Sequence, residues 1–343
     1  MRAVVIARPG GPEVLEMREL PVPEPGPGEI LVRVRAAGLN RADVLQRQGR
    51  YPAPPGWPAD VPGLEYAGEV VGVGPKPTAP ASVGPGGRWR VGDRVMGLVG
   101  GGACAEYLVA HGDTALAVPD AWPAALPADP LVLAAAVPEV FFTAHDALVR
   151  QLRLREGESV LIHSVSSGVG SAAVQIAKAR GARTLGTSRS AAKLARALPL
   201  GLDVPVDTSA GDFAEIVLRE TGGRGVDAVL DLVGGPALEG NLAALARGGR
   251  MIVVGLTAGR SATLDMGLVL NKRLTIVGTV MRTRGLEERA ALARDVERDV
   301  MPLFAAGRLR PVLDRVFPMG QAAAAHRVME ESGHFGKLVL AWE

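Results

Sequence analysis

The residues with the clearest chemical potential form a turn, Ser164-Val165-Ser166-Ser167-Gly168-Val169-Gly170, set between the apolar run Val160-Leu161-Ile162 and the stretch Ser171 to Arg180. A glycine-containing turn that ends at a helix start presents unpaired backbone N–H groups and the positive end of the helix dipole, which is what holding a pyrophosphate requires. The turn lacks the common three-glycine spacing: Val165 and Ser167 stand where the first two glycines would be, and Gly168 and Gly170 remain. Alone it also fits an ordinary strand-to-helix turn. Cofactor type is read at the end of the next strand, Thr187-Ser188-Arg189-Ser190-Ala191-Ala192-Lys193. No Asp or Glu is present there to bind a ribose 2′-hydroxyl, whereas Arg189, Ser190 and Lys193 suit a 2′-phosphate, so NADPH is expected over NADH. Solvated cations at a helix start are the alternative.

Other polar residues offer less. Asn40 follows a strand and precedes Asp43, which also suits an Asx turn or a helix cap. Tyr51 heads the stiff loop Tyr-Pro-Ala-Pro-Pro-Gly, where a phenol either packs or donates a hydrogen bond. Glu65 and Glu139 sit in apolar settings that favour burial with hydrogen-bonded partners over direct catalysis. His111, His145, His163, His326 and His334 have no ligand spacing and read as structural or solvated. Cys104 is the single cysteine, which excludes intrachain disulfides and a cysteine-rich zinc lobe, and no His or Lys adjoins it to activate the thiol.

These residues need elements to hold them. Val169, Ala172, Ala173, Ile176 and Ala177 fall on one helical face, Lys178 and Arg180 suit that helix's C-terminus, and Gly181 can cap it. From Leu131 onward the pattern is helical and then alternates. Strands are expected at 159–163, 183–187, 203–206, 226–231, 249–255 and 274–279. Helices are expected at 169–180, 190–198, 211–221 and 236–246, with a longer one at 285–306. That alternation predicts a doubly wound parallel α/β sheet. Residues 1 to about 125 read as mostly β, with strands at 29–35, 67–73, 94–99 and 105–109 and a Pro- and Gly-rich loop at 74–88. After Arg310 short β and helical pieces return, so the expected division is 1–125 with 309–343 as one domain and 126–308 as an inserted nucleotide domain.

The 343 residues suffice for two cores, and 48% hydrophobic against 22% charged residues is a globular composition. No apolar run approaches the roughly 20 residues that span a bilayer, and the N-terminus turns polar at Arg8-Pro9-Gly10, so a cytoplasmic protein without membrane insertion is expected. A formal net charge of only +2, with no basic block, argues against a nucleic-acid partner.

The stretch Ala37-Gly38-Leu39-Asn40-Arg41-Ala42-Asp43 through Gly49-Arg50-Tyr51-Pro52 resembles the quinone oxidoreductase branch of the medium-chain dehydrogenase/reductases. The likeness extends to Pro62 to Gly68, Pro138 to Ala144, Asp231 to Gly235, Arg282 to Arg284 and Gly336-Lys337. It covers nearly the whole chain and is greatest to the group containing the tumour-suppressor-inducible enzyme, with zeta-crystallin-like enzymes next. The resemblance implies a Rossmann NADPH-binding domain inserted in a mostly-β GroES-like catalytic domain. It implies Asn40 and Tyr51 beside the nicotinamide, with Thr143 near the same end, Ser167, Gly168 and Val169 at the pyrophosphate, and Arg189, Ser190 and Lys193 at the 2′-phosphate. Gly255, Leu256, Thr279, Val280, Met281, Phe335 and Lys337 are implied around the cleft. Many relatives have Tyr where Thr208 stands, which leaves the adenosine phosphate more dependent on Arg189, Ser190 and Lys193.

Zinc-dependent alcohol dehydrogenases of the same superfamily carry Cys-His where this chain has Asn40-Arg41, and Gly-His-Glu where it has Gly63-Leu64-Glu65. A lone Glu65 cannot supply a tetrahedral zinc site, so no metal is expected. An alcohol would need that Lewis acid, whereas a quinone does not. The implied activity is metal-free hydride transfer from NADPH to a quinone. Alternatives are reduction of activated C=C bonds in enals, enones or enoyl thioesters, and a non-enzymatic NADPH-binding scaffold. The strand at 274–279, if it is the sheet edge, suggests a homodimer.

Overall fold

The computed structural model describes residues 1–75, 88–119, 122 and 129–343. Most of the loop expected at 74–88, and the domain boundary expected at 125/126, lie outside the described residues. The chain forms two compact units, Met1–Phe142 with Met281–Glu343, and Thr143–Val280. Segments 129–142 and 281–308, assigned from sequence to the nucleotide domain, thus fall with the first unit.

In the first unit, β1 (Arg2–Ile6) pairs antiparallel with β2 (Leu15–Glu19). A larger sheet contains β3 (Glu29–Leu39), β4 (Glu65–Val73), β5 (Arg94–Leu98), β6 (Tyr107–His111) and β7 (Ala115–Ala117). The seven-residue helix α1 (Arg41–Arg47) leaves β3 at Asn40. Helices α2 (Pro130–Ala134) and α3 (Pro138–His145) then lead out of this unit.

The second unit alternates β8 (Ser159–Ile162), α4 (Gly168–Ala179), β9 (Arg183–Ser188), α5 (Ala191–Ala197), β10 (Val204–Asp207), α6 (Phe213–Glu220), β11 (Val226–Asp231), α7 (Leu238–Ala244), β12 (Leu245–Val253), α8 (Met266–Lys272) and β13 (Thr275–Gly278). Its six strands are parallel in the order β10-β9-β8-β11-β12-β13, the doubly wound order with β8 at the switch point. β8 is buried throughout, as a continuous apolar run in a parallel sheet must be. Leu161, Leu185, Val229 and Met251 pack with Val217 and Leu242 of the flanking helices.

The chain returns through α9 (Leu286–Asp299), α10 (Met301–Ala305), β14 (Leu313–Pro318), α11 (Ala322–Glu331) and β15 (Lys337–Ala341). The single helix expected at 285–306 is two, because Pro302 has no N–H to continue the first and sits instead at the start of the second. β15 pairs antiparallel with β3, which completes the sheet order β14-β15-β3-β4-β5-β7, with β6 also on β3. Val32, Val34, Leu39, Tyr66, Val70, Leu108 and Leu338 lie in its core.

The stretch Pro130–Gln151, which contains α2 and α3, is long and apolar enough to cross a membrane by length and composition. It reads as a core segment, since 89% of its most apolar window is buried inside the protein.

Candidate functional site

In the first unit, the end of β3 and the start of α1 gather a buried polar cluster. Asp43 Oδ2 accepts from the Asn40 N–H at 2.8 Å and Asp43 Oδ1 accepts from the Gly63 N–H at 2.9 Å, so Asn40 does begin a helix. Its side chain, however, is turned away from the cap. Asn40 Nδ2 donates to Glu65 Oε1 at 2.7 Å and to the Gly38 carbonyl at 3.3 Å, and Asn40 Oδ1 accepts from Lys337 Nζ at 2.6 Å. Gly38 makes room for this arrangement, because a Cβ there would lie 2.3 Å from Glu65 Oε1.

Lys337 donates to Leu39 O at 2.9 Å, to Asn40 Oδ1 and to Glu65 Oε1 at 2.5 Å. An ammonium has three donors. All are committed within this cluster, where Lys337 fixes Asn40 and faces Glu65 as an internal strut. Phe335 is likewise buried in the core, with its N–H donating to Asp314 Oδ1 at 3.0 Å.

Tyr51 is half-buried. Arg282 stacks its guanidinium 5.1 Å from the Tyr51 ring centre and donates to Tyr51 O at 2.8 Å, to Gly100 O at 2.8 Å and to Gln46 Oε1 at 2.6 Å. Burial raises the phenol's pKa, the nearby Glu139 raises it further, and Arg282 opposes both. Met281 and Glu139 line one cavity with Leu64, Leu98 and Phe142. Burial, and then the negative charge of Glu65, push the Glu139 carboxyl up to about 8, and burial pushes Asp43 up to about 6.

In the second unit, Ser167 is the N-cap of α4, and its Oγ accepts from the Gly170 N–H at 3.0 Å. The serine thus stabilises the turn as a glycine could not. Gly170 is needed for close packing, because a Cβ there would lie 2.2 Å from Ser164 O. Gly168 and Val169 open the helix, where first-turn N–H groups point outward. Thr143 is buried with a hydroxyl that has no hydrogen-bond partner, an opening for a polar ligand.

Past β9, Ser190 caps α5 and accepts from the Lys193 N–H at 3.4 Å, while Arg189 is exposed. Thr208 follows β10 and donates its N–H to Ser188 O at 3.0 Å, beside the same strand end. Gly255 donates to Asp231 O at 3.2 Å after β12, with Leu256 exposed. Thr279 donates to Asp146 Oδ2 at 2.9 Å, and Val280 is exposed. The Ser167–Gly170 turn and the strand end carrying Arg189 therefore stand at the C-terminal edge of one parallel sheet, where doubly wound folds bind nucleotides.

His163 is structural. Its Nδ1 lies 2.9 Å from Thr187 Oγ1 and its Nε2 lies 2.6 Å from Asn241 Oδ1, while Asn241 Nδ2 donates to Asp231 Oδ2 at 3.2 Å. Burial lowers its pKa. Among the described residues, no group of three or more His, Cys, Asp or Glu is placed to hold a metal ion.

Sequence reading did not foresee Asp43 as a carboxylate with a raised pKa, or Arg282 and Gln46 as supports of Tyr51. The only local signal was the Asn-x-x-Asp spacing at the start of α1.

The chain matches the alcohol dehydrogenase GroES-like domain over residues 26–120 and the zinc-binding dehydrogenase family over residues 168–298. It is 31% identical to the quinone oxidoreductase of Rattus norvegicus over 99% of this chain and 97% of that protein. It is 34% identical to a mycocerosic acid synthase-like polyketide synthase of Mycobacterium tuberculosis over 98% of this chain, but spans only 15% of that much longer protein. Among solved structures, an NAD-dependent alcohol dehydrogenase superposes with a TM-score of 0.83 at 36% identity over 100% of both chains. A mycobacterial protein in complex with NADPH gives 0.83 at 29% identity over 99% of this chain and 100% of that one. The CurK enoyl reductase gives 0.83 at 26% identity over 100% of this chain and 99% of that one. With its inserted parallel sheet, its mostly-β companion unit and a full-length relative of this similarity, the chain belongs to the quinone oxidoreductase-like proteins of the medium-chain dehydrogenase/reductase superfamily and is an oxidoreductase of that family.

Proposed function

We propose that the protein is an NADPH-dependent, metal-free reductase whose acceptor is a quinone. The observation that carries the reading is the likeness to rat quinone oxidoreductase across both proteins' lengths. The mycobacterial NADPH complex supports the cofactor, as do Arg189, Ser190 and Lys193 at a strand end without a carboxylate. The NAD-dependent structural relative makes that preference a matter for direct measurement. One matching family is described as zinc-binding, yet the side chain of Asn40 is an amide committed to Glu65 and Lys337, and Leu64 is a buried aliphatic chain. Neither is a zinc ligand.

A bound reduced nicotinamide supplies the hydride. The chain's own contribution is to position and to exclude water. The turn before α4 and Thr143 hold the cofactor, Lys337 and Glu65 fix Asn40, and Arg282 fixes the Tyr51 loop so that its phenol can donate to the acceptor's oxygen. A second reading, reduction of an activated C=C bond, is favoured by the likeness to an enoyl reductase. NADPH oxidation with a naphthoquinone against a 2-alkenal separates the two, and absence of quinone turnover refutes the first.

The assembly is read as a homodimer formed through the outer strand β13. Among the described residues that strand pairs with β12 alone; Ile276 on it is 37% exposed, and Met266 and Leu270 on the preceding α8 are 67% and 76% exposed. An apolar strand edge of this kind invites a second copy. We propose a cytoplasmic location, in keeping with the composition.

A further inference from the structure

The hydrogen bonds that enclose His163 do not end at its ring. Thr187 Oγ1, 2.9 Å from His163 Nδ1, also accepts the Ser164 N–H at 3.3 Å, and Thr187 O accepts the Val165 N–H at 3.1 Å. Ser164 opens the turn before α4 with a φ of +52°, a left-handed conformation that a residue with a Cβ seldom adopts. Its carbonyl accepts the Ser167 N–H at 2.9 Å and is the atom that a Cβ on Gly170 would strike. The Ser164 N–H is thus held from β9 while its carbonyl folds the turn that presents Gly168 and Val169.

At the other end of these bonds Asp231 closes β11. Its Oδ1 accepts the N–H groups of Val233 at 2.8 Å and of Gly234 at 3.0 Å, so the carboxylate that holds Asn241 also shapes the loop after β11. β8 and β11 are the neighbours between which the strand order reverses. The relay Asp231–Asn241–His163–Thr187 therefore ties the phosphate turn to the loop across the switch point, where a doubly wound sheet receives its nucleotide.

The proton positions follow from the partners. As a carboxylate Asp231 accepts only, so Asn241 turns its Nδ2 to Asp231 and its Oδ1 to His163. His163 Nε2 then carries the ring proton, and Nδ1 offers its lone pair to the Thr187 hydroxyl, whose oxygen accepts from Ser164. A second ring proton would oppose that of the hydroxyl, and burial keeps the imidazole neutral although Asp231 pulls the other way. All four side chains are at most 3% exposed, and the Phe213 ring stands edge-on to His163 at 5.0 Å between centres.

We propose that this relay sets the phosphate turn for the dinucleotide, with His163 a positioning residue that acts through Thr187. The inference rests on the dinucleotide site described above, and depends neither on the acceptor nor on the choice between NADPH and NADH. A pyrophosphate is held by N–H groups whose direction the backbone fixes. Without the Thr187 hydroxyl the part-buried Ser164 N–H loses its partner, and the turn loses the bond that holds its left-handed residue.

Fluorescence titration of the full chain with NADPH and with NADH tests the role, with near-UV circular dichroism to show that each variant is folded. Thr187→Val keeps the shape of the side chain, removes the hydroxyl, and should weaken both dinucleotides roughly tenfold. His163→Leu should do the same, and the double variant should bind little more weakly than either, because both changes break one relay. Thr187→Ser, which keeps the hydroxyl, should bind like the wild type. Residues that served stability alone would lower the unfolding midpoint and leave the affinity of the folded chain unaltered. Nitrogen-15 spectra of the wild-type imidazoles, which need no variant, should show His163 as the Nε2–H tautomer at neutral pH, and an Nδ1–H tautomer overturns the relay. A loss confined to NADPH also overturns it. If the wild type binds dinucleotide and folded Thr187→Val and His163→Leu bind it as tightly, the inference falls and the dinucleotide reading stands. If the wild type binds neither dinucleotide, that reading falls and takes the inference with it.

Discussion

Lys337 Nζ meets Glu65 Oε1 at 2.5 Å with both side chains almost wholly out of solvent, at 3% and 0% exposure. The pair joins the last strand to β4 and shares Asn40 between its members. Removing one partner strands the other as a buried charge, so Lys337→Met should cost about 3 to 5 kcal/mol of stability, measured by urea unfolding. Loss of less than about 1 kcal/mol would contradict a structural role for the pair.

Tyr51→Phe should reduce quinone turnover by roughly tenfold without abolishing it, because positioning rather than phenol acidity carries most of the rate. Stopped-flow or steady-state kcat decides. Complete loss would make the phenol indispensable.

Arg189→Ala and Lys193→Ala should each weaken NADPH binding by roughly tenfold, about 1.4 kcal/mol, and leave NADH binding nearly unchanged. Fluorescence titration with both dinucleotides checks this. Unchanged NADPH affinity in the double variant would remove the basis for the cofactor preference.

Stability should depend on pH in a direction set by Glu139. Its folded pKa of about 8 lies above its ordinary 4.5, so between these values the folded chain holds a proton that the unfolded chain has released. Stability therefore falls as pH rises through that window. Asp43, raised to about 6, adds the same sign below that pH. His326, depressed to about 3 by burial and by Arg47, has the opposite sign, losing its contribution as pH falls from 6.5 towards 3. Urea midpoints of wild type and Glu139→Gln at a series of pH values should show a shallower fall from about 6 to about 8 in the variant.

Ile276→Lys with Leu270→Glu should convert a dimer into a monomer in sedimentation velocity, with little loss of stability because both side chains are already exposed. A chain that is a monomer before substitution would contradict the assembly through β13.

Much of the second unit is legible in sequence because each of its signals is local. The strand read at 226–231 is β11 to the residue, and the turn with Ser167, Gly168 and Gly170 sits where its spacing puts it. The first unit is less legible. β1 and β2 are only five residues each, and α1 is only seven residues long. Neither Glu65 nor Lys337 has a partner nearby in sequence: Asn40 is 25 residues from one and 297 from the other. A carboxylate in an apolar stretch signals that a partner exists but not which one. The bonds that Lys337 makes to Leu39, Asn40 and Glu65 have no counterpart in the residues around Gly336-Lys337.

The bond between Lys337 and Leu39 spans 298 residues, and β15 lies on β3 along its C-terminal half. During synthesis, β3 and Asn40 leave the ribosome long before the strand that completes them, whereas the second unit is one unbroken segment whose contacts are available as soon as residue 280 has emerged. High separation between pairing strands slows folding. The order of maturation is therefore the inverse of the order of translation: the nucleotide-binding sheet can be finished while the part of the molecule made first still waits for the part made last.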